Sequence, residues 1–235
     1  MKIAIISDIH ANFPALQVLP ETWDEPWVVG DLVNYGPYPN EVVDWVRAHA
    51  HCVVRGNHDH AIGFGTDPKC FAPYRAMAAE SGAFTASLLT AENKRYLERL
   101  PLSLERRLAN AKFYLCHALP SDPLFGYLDQ QAEQWVAEVH GTAADAVIVG
   151  HTHVPFIRRI GDRTLVNPGS LGLPKVGAPA ARYAVWEDGR FELRHYRYPI
   201  DETKAHIALM PISDGVKADL MHVLDTGNPL SAEKS

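Results

Sequence analysis

Cysteine is scarce in this chain and follows no recognisable pattern. The 235 residues include three cysteines, Cys52, Cys70 and Cys116. An odd number of widely separated cysteines matches neither a disulfide-stapled fold nor the paired spacing of a zinc finger. We therefore expect free thiols, most of them buried.

The sequence also lacks a long apolar run and an excess of positive charge. The apolar stretch after Met1 is interrupted by Ser7 and Asp8, too soon for a signal peptide or a membrane span, so we expect a cytoplasmic protein with no membrane partner. Lys and Arg total 22 against 28 Asp and Glu, a net charge of -6. Since duplex nucleic acids are bound through clustered cations, we expect no extended nucleic-acid surface. An anionic substrate would need a local positive centre.

A globular composition and a repeated strand-then-turn pattern are present instead. Hydrophobic residues make up 47% of the chain, which is enough for a sizeable core. Short apolar runs that each precede a polar or glycine-bearing turn predict strands at 2–7, 27–29, 52–54, 112–116 and 146–149. Predicted helices lie between the early strands, at 13–19 and 40–50.

The remaining segments add helices and hairpins. Residues 73–99 read as two helices separated near Thr90, within a probable helical cap at about 64–100 beside the site. A helix at 129–140 would place Trp135, Val136 and Val139 on its inner face, together with Ala132. Antiparallel hairpins are predicted for 156–160 with 163–166 and for 182–186 with 191–198. A helix at 214–224 precedes a flexible tail at 225–235.

These elements predict an α/β fold in one domain that spans residues 1–235. Alternating strands and helices indicate a mainly parallel sheet covered by helices, and the late hairpins extend it into two stacked sheets with helices outside. Ligands of such sheets collect at the carboxyl ends of the strands. The polar turns lie at those ends, so we expect their side chains to converge.

Three acidic or imidazole side chains follow the first two predicted strands. Asp8 and His10 are two residues apart, so in an extended segment both side chains would point the same way and could share a metal ion. Asp31 follows Gly30, where a carboxylate can bridge two cations and glycine permits a sharp turn. An isolated Gly-Asp pair is more often a simple turn, so this motif indicates a metal site only in combination with the other motifs.

The later strands are followed by amide and imidazole groups. Asn57 can offer an amide oxygen as a neutral ligand, which keeps the site from becoming too negative for an anionic phosphate. His151 and His153 flank Thr152 after Gly150 and can present imidazoles to neighbouring ions. A histidine pair of this kind is seldom needed for packing, so a metal site is favoured.

Taken together, these motifs resemble those of the calcineurin-like metallophosphoesterase superfamily. Its pattern is D-x-H, G-D, G-N-H-D/E, a lone H and G-H-x-H, and each part occurs in order over roughly the first two thirds of the chain. The stretches at 31–37 and 167–172 are similar to those of the small bacterial and archaeal phosphodiesterase branch. The resemblance implies a four-layer αββα sandwich of two mixed sheets flanked by helices.

The same resemblance implies a dinuclear metal site with a defined ligand set. One metal would be held by Asp8, His10 and His153, the other by Asn57, His117 and His151, and Asp31 would bridge them. Two ions about 3.5 to 4 Å apart lower the pKa of a shared water and hold the phosphoryl oxygens during in-line attack. Mixed imidazole, carboxylate and amide ligands suit manganese, iron, zinc, cobalt or nickel, so the metal's identity stays open.

His58 is implied as the catalytic residue outside the ligand set. It would stabilise the transition state or protonate the leaving oxygen. In the protein-phosphatase branch an aspartate buttresses this histidine and an arginine grips phosphate, whereas Asn34 and Tyr35 occupy those places here. A protein phosphatase is thereby disfavoured, and His58 has less reason to be protonated. His60 and Lys175 are further candidates for substrate contact, although solvated loop residues would have the same sequence signal.

The predicted function is hydrolysis of phosphodiesters or small phosphorylated compounds such as nucleotides. A phosphomonoesterase or a nuclease with the same centre is the alternative, and a catalytically silent metal-binding interaction module is another. The acidic composition disfavours the nuclease. An intact ligand set together with His58 disfavours the silent module. Oligomeric state is not predicted.

Overall fold

Two five-stranded sheets carry the fold. The computed structural model describes residues 1–20, 22–108 and 110–230. The first sheet has the order β10-β9-β1-β2-β3 and the second β4-β5-β6-β8-β7. The strands are β1 Lys2–Ile6, β2 Glu25–Val28, β3 Cys52–Val53, β4 Ser103–Leu108, β5 Ala111–Cys116, β6 Ala146–Ile148, β7 Phe156–Ile160, β8 Arg163–Asn167, β9 Ala181–Glu187 and β10 Arg190–Tyr196.

Each sheet is parallel at its centre and antiparallel at an edge. In the first sheet β1 pairs in parallel with β2, with Ile5 opposite Trp27, and antiparallel with β9, with Ile5 opposite Ala184. In the second sheet β5, β6 and β8 are parallel, and β4 and β7 are antiparallel partners at the two edges. The parallel strands end at one edge of each sheet, where the motif-bearing loops begin.

Helices cover the outer faces of the sheets. They are α1 Phe13–Gln17, α2 Pro39–His49, α3 Asn57–Phe64, α4 Arg75–Leu88, α5 Ala91–Arg99, α6 Trp135–His140, α7 Ile200–Leu209 and α8 Asp214–Thr226, with a 3-10 turn at Ala72–Tyr74. Helix α2 buries Val42 and Val46 against the first sheet, and α6 buries Trp135 and Val139 against the second. The predicted architecture of two stacked mixed sheets with flanking helices is therefore confirmed.

The core between the sheets consists of large apolar side chains from both. Trp27 and Phe113 meet edge to face at 5.0 Å, and Phe113 meets Trp186 in the same way at 5.4 Å. Ile5 and Ile148 are fully buried beside them. Aromatic pairs in this arrangement add to the free energy gained from burial alone, so this layer fixes how the two sheets are stacked.

Most predicted elements are present within one or two residues, and four of the observed elements differ. The helix predicted at 129–140 begins only at Trp135, and Val136 is 43% exposed. The reason is local: the Asp129 carboxylate accepts from Gln131 N, and Trp135 Nε1 donates to the Asp129 carbonyl, so turns replace the first helical residues. Helix α3, strand β4 and helix α7 were not predicted. Thr90 caps α5 as expected, accepting from Asn93 N at 3.1 Å.

The carboxyl-terminal helix α8 extends to Thr226, slightly beyond its predicted end. Leu230 N then donates to the Tyr74 hydroxyl at 2.9 Å. Residues 231–235 of the predicted tail lie outside the described residues. In the part of the chain that the structure describes, no helix is both long and apolar enough to span a membrane.

The inter-sheet core generates the first prediction. Phe113→Ala should lower the free energy of unfolding by about 3–5 kcal/mol, because it removes a buried ring that contacts both sheets and leaves a cavity. Phe71→Ala is the matched control, since Phe71 is 59% exposed and should change stability by about 0.5 kcal/mol or less. Urea unfolding followed by fluorescence measures both. Equal losses for the two variants would contradict the stacking described above.

Candidate metal centre

Loops at the carboxyl ends of five strands bring the predicted ligands together. Asp8 and His10 follow β1, Asp31 follows β2, Asn57 follows β3, His117 follows β5, and His151 and His153 follow β6. Backbone hydrogen bonds join neighbouring loops, with Asp8 N donating to the Gly30 carbonyl and His10 N to the Asp31 carbonyl, both at 3.0 Å. All but the half-buried His151 are buried. The convergence expected from the strand ends is present.

The backbone at these residues is left-handed, which corrects the expected extended geometry. The angle φ is 53° at Asp8, 49° at His10 and 56° at Asp31. It is 66° at His151 and 62° at His153. Residues other than glycine rarely adopt such angles, and where they do the surrounding structure must hold them, often at a functional site. The paired side chains therefore converge because the loops turn back sharply, and not because they share one side of a strand.

Two glycines permit the close approach of the loops after β2 and β3. Gly30 has φ 86°, and a methyl group there would lie 2.7 Å from Gly56 N. A methyl group on Gly56 would lie 2.7 Å from the Asp31 carboxyl carbon. Gly56 thus leaves the space that the Asp31 side chain occupies, and Gly30 leaves the space for the Gly56 backbone and the His117 ring.

The side chains form two groups that Asp31 connects. The atoms of Asp8, His10 and His153 that could bind a metal lie within 4.8 Å of one another, and so do those of Asp31, His117 and His151. Asp31 Oδ2 is 3.2 Å from His117 Nε2 in its own group and 3.8 Å from His10 Nε2 in the other.

Asn57 belongs with the second group. Its Oδ1 lies 3.1 Å from His117 Nε2 and 3.1 Å from His151 Nδ1, while its Nδ2 donates to the Pro68 carbonyl at 2.7 Å. The bond to Pro68 fixes the orientation of the amide. Asn57 therefore presents its oxygen, the amide atom that could bind a metal, towards the two imidazoles.

Hydrogen bonds to backbone carbonyls orient three of the imidazoles. His10 Nδ1 lies 3.2 Å from the Val33 carbonyl, His117 Nδ1 2.7 Å from the Val29 carbonyl and His153 Nδ1 2.6 Å from the Leu173 carbonyl. A carbonyl oxygen only accepts, so each Nδ1 carries a proton, and whenever the ring is neutral the lone pair of Nε2 is directed into the centre. Metal-binding histidines are held in this way.

The inward-facing atoms are acceptors that lack donors, so they fit a bound cation. His10 Nε2 and His153 Nε2 are 3.2 Å apart, although both present lone pairs in the neutral rings. Asp8 Oδ1 is buried 3.3 Å from His153 Nε2 and finds no hydrogen-bond donor among the described residues. A cation between these atoms would replace their repulsion by attraction, and the mixture of imidazole, carboxylate and amide groups is suited to transition metals.

The electrostatics of the centre keep both carboxylates ionised. Burial alone raises the pKa of Asp8, but its interactions with the imidazoles of His153 and His117 outweigh burial and hold the pKa below its usual value. Burial likewise raises the pKa of Asp31, and His117 and His58 outweigh it. In the absence of metal, burial lowers the pKa of His117, yet Asp31 outweighs burial and raises that pKa to about 10. A cation would take over the role of this imidazolium.

His58 lies outside both groups and is oriented by Asn34. Asn34 Oδ1 accepts from Tyr35 N at 2.8 Å and from Ser81 Oγ at 2.5 Å, so its Nδ2 faces His58 Nδ1 at 2.9 Å. An amide NH₂ can only donate, hence Nδ1 accepts and the proton of the neutral ring is on Nε2. Burial lowers the pKa of His58 to about 4, against the opposite effect of Asp31. His58 is thus a neutral N–H donor whose Nε2 lies 3.4 Å from the Sγ of Cys70, another residue that lines the cavity.

A cavity of about 560 Å³ opens beside the two groups. Asp31, Asn57, His58, His151 and His153 contribute to its lining. Its walls come from residues 69–74, from the loop after β5, and from the loop that carries Lys175.

The two weaker sequence candidates have different surroundings. Lys175 lines the cavity, with Nζ 4.1 Å from the centre of the Tyr74 ring. His60 is not among the cavity's lining residues, because its ring packs 4.7 Å from Phe64 and 6.2 Å from Phe125.

The order and geometry of these residues agree with the comparison to known families. The family described as the calcineurin-like phosphoesterase superfamily domain matches residues 1–188. This chain belongs to that superfamily. The resemblance deduced from the motifs is confirmed, and the protein is a metal-dependent phosphoesterase.

Relatives of this phosphoesterase occur in bacteria and archaea. It is 30% identical to an uncharacterized protein of Methanocaldococcus jannaschii, over 87% of this chain and 90% of the relative. It is 26% identical to phosphodiesterase YfcE of Escherichia coli, over 77% of this chain and 85% of the relative. The crystal structure of a metallophosphoesterase from Sphaerobacter thermophilus matches with a TM-score of 0.82 at 30% identity, covering 97% of this chain and 99% of the other.

Asp59 is a further important residue of this phosphoesterase, one to which the sequence motif assigned no role. Its carboxylate is fully buried and accepts from the backbone N–H groups of Asp31 and Leu32 at 2.8 Å, of Gly56 at 2.9 Å and of Val33 at 3.3 Å. Burial and the Asp31 charge raise its pKa to about 7, against the effect of the Gly56 N–H. Asp59 therefore ties the loop that carries Asp31 to the loop that carries Asn57.

Replacing this carboxylate tests its positioning role. Asp59→Asn should lower the free energy of unfolding by about 2–4 kcal/mol, because the amide NH₂ would face buried N–H donors. It should also weaken metal binding by about 10- to 100-fold, as for other residues that hold ligands in place. Denaturant unfolding and calorimetric metal titration measure the two effects.

The matched control is Asp201→Asn, at a side chain that is fully exposed. It should change the free energy of unfolding by about 0.5 kcal/mol or less and leave the metal affinity as it is. Wild-type metal affinity in Asp59→Asn would show that Asp59 does not position the centre.

Proposed function

We propose that this phosphoesterase binds two metal ions and hydrolyses phosphodiesters of small molecules such as nucleotides. The observation that carries the proposal is the position of Asp31, whose Oδ2 faces His117 in one group and His10 in the other. In this assignment Asp31 is shared. The first ion would be held by Asp8, His10 and His153, and the second by Asn57, His117 and His151.

The chain's own groups determine what such a centre can do. When bound, the ions would supply Lewis acidity and lower the pKa of a water molecule for attack on phosphorus. A carboxylate between two cations reduces their mutual repulsion, which is the role assigned to Asp31. The neutral amide of Asn57 limits the negative charge that an anionic ester would meet.

His58 acts in this proposal as a hydrogen-bond donor to the substrate. Its Nδ1 accepts from Asn34, so the neutral ring can donate only through Nε2. That N–H would stabilise negative charge that develops on a phosphoryl or leaving oxygen. A neutral imidazole is a very weak acid, so outright protonation of the leaving oxygen by His58 is the less favoured of the two roles.

A preference for diesters follows from the side chains around the phosphate position. Tyr35 is 2% exposed, and its ring lies 4.7 Å from the rings of His10 and of His58. This tyrosine takes the place in which phosphatases of the superfamily carry a phosphate-gripping arginine. A monoester dianion carries more negative charge than a diester. It therefore loses more binding free energy when the arginine is replaced by tyrosine. The relationship to phosphodiesterase YfcE supports the same preference.

Lys175 is the proposed cation that meets the substrate's negative charge. Its ammonium group lines the cavity, and burial lowers its pKa to about 8 although Asp8 acts in the opposite direction. Contact with substrate anion would stabilise the charged form of this lysine. We do not extend this role to His60, whose ring packs on Phe64.

The predicted cap at about 64–100 is part of this proposal. Residues 69–74 of that segment form one wall of the cavity, and the loop that carries Lys175 forms another. The segment would therefore limit how large the second ester group of a bound substrate can be. It would do so as part of one single domain.

A comparison of two nitrophenyl substrates tests the proposed function. With manganese, zinc, cobalt or nickel added to metal-depleted protein, kcat/KM for bis(p-nitrophenyl) phosphate should exceed that for p-nitrophenyl phosphate by about tenfold or more, a difference of about 1.4 kcal/mol in transition-state binding. The two substrates share a leaving group, so the comparison isolates the second ester. A monoester preference at every pH tested would reverse the assignment.

Substitutions of Asp31 and His58 should fail in different ways. Asp31→Ala should lose metal as well as activity, because the two ions would lack a shared anion. His58→Ala should keep its metal but lose about 100-fold in kcat, the range expected when a preorganised donor is removed. Elemental analysis and steady-state kinetics measure the two effects, and the exposed His195→Ala serves as the matched control.

The leaving group then distinguishes the two roles of His58. A donor that stabilises phosphoryl charge predicts nearly the same loss for a p-nitrophenyl diester and for a phenyl diester. A much larger loss with the poorer phenolate leaving group would instead identify His58 as the acid. Loss of metal from His58→Ala would mean that it belongs to the ligand set.

A further inference from the structure

Besides Tyr35, which packs on His58, four phenylalanine and tyrosine side chains line the cavity walls, and they fall into two pairs. Two of them have a lysine ammonium over the ring: Lys69 Nζ is 4.0 Å from the centre of Phe125, and Lys175 Nζ is 4.1 Å from the centre of Tyr74. Cation–π contact already occupies those ring faces. The other two aromatic residues, Phe71 and Tyr127, are 59% and 48% exposed.

Phe71 and Tyr127 form a continuous aromatic surface, here called the aromatic platform. Their rings meet edge to face, with centres 4.9 Å apart and planes at 87°. They come from different parts of the chain, since Phe71 precedes the 3-10 turn and Tyr127 belongs to the loop between β5 and α6. Two large rings that meet in a cavity and remain exposed are poorly explained by core packing, because burial is what favours such rings.

The aromatic platform lies beside the metal centre. The Tyr127 ring is 6.2 Å from the ring of His151, a proposed ligand, and both residues line the same cavity. A phosphate at the centre would thus be separated from the platform by about the length of a ribose. The ammonium groups of Lys69 and Lys175 add positive charge along the walls.

These features together indicate which type of ligand the cavity binds. An acyl chain could pack on the rings but would gain nothing from the two ammonium groups. A planar base gains from stacking on an aromatic face, and its attached phosphate gains from the cations. We propose that Phe71 and Tyr127 bind the nucleobase of a nucleoside phosphodiester whose phosphate lies at the metal centre, one ring stacking on the base and the perpendicular ring contacting its edge. The proposal rests on the proposed function and adds the substrate class to it.

Two ligands that differ only by a base test the aromatic platform without catalysis. Calorimetry on the manganese-loaded protein should give adenosine 5′-monophosphate a Kd about tenfold or more below that of ribose 5-phosphate, as expected for one stacked base. Phe71→Leu and Tyr127→Leu keep apolar bulk but remove the ring, and each should reduce this ratio by at least half. Phe71→Tyr and Tyr127→Phe should preserve it.

Phe64→Leu is the matched control, because Phe64 is 49% exposed but is not among the residues that line the cavity. It should keep the wild-type ratio. Equal affinities for the two ligands in wild type, or an unchanged ratio in both leucine variants, would contradict the proposed role of the aromatic platform in binding the base.

Activity then separates this inference from the proposed function. Thymidine 5′-(p-nitrophenyl phosphate) and methyl p-nitrophenyl phosphate share a leaving group and differ by the nucleoside, and the aromatic platform predicts about tenfold higher kcat/KM for the former. Equal cleavage of both would overturn the platform while the phosphodiesterase assignment stands. Platform-dependent binding of adenosine 5′-monophosphate without cleavage of either diester would support the platform and overturn the proposed function.

Discussion

The carboxylate of Asp31 is the group on which the rest of the centre depends. Its Oδ1 accepts from His58 N at 2.9 Å, and its Oδ2 faces imidazoles of both groups. It can occupy this position only because Gly56 leaves room for it and because Asp59 binds its backbone N–H. One ionised side chain thus links the loops after β1, β2, β3 and β5. Burying this carboxylate without a positive partner would cost free energy. The arrangement of residues around Asp31 is therefore the one expected of a site that binds cations.

The sequence predicted the site better than it predicted the way the site is built. Parallel strands deliver their loops to one edge of a sheet, so residue order and type were enough to bring Asp8, Asp31 and His117 together. The left-handed backbone at Asp8 was not predicted, because only the tertiary hydrogen bonds between neighbouring loops hold it there. The role of Asp59 was missed for a similar reason: its four backbone partners are defined by folding. Helix α6 was predicted too long because the apolar period continues through residues whose turns are fixed by side-chain hydrogen bonds.

Next to His58, Asn34 and Tyr35 occupy the places of the aspartate and arginine found in the protein-phosphatase branch. This difference connects the local hydrogen bonding to the proposed substrate preference. Asn34 donates to the imidazole where a carboxylate would accept from it, so the proton of the neutral ring is on Nε2, which lies 3.4 Å from Cys70 Sγ at the cavity wall. Tyr35 fills the neighbouring space with an aromatic ring in place of a guanidinium. Both changes reduce the positive charge available to a phosphate dianion. The cavity beside them is lined by Lys175, and this arrangement is the basis of the proposed preference for a substrate with less charge and a second ester group.

Anomalous X-ray diffraction at the absorption edge of the metal found in the purified protein tests the dinuclear assignment most directly. The account predicts two peaks about 3.5 to 4 Å apart, as in other two-metal hydrolytic sites, with Asp31 contacting both. The first should lie among Asp8, His10 and His153, and the second beside His117. A single fully occupied peak, or two peaks that Asp31 does not join, would contradict the account.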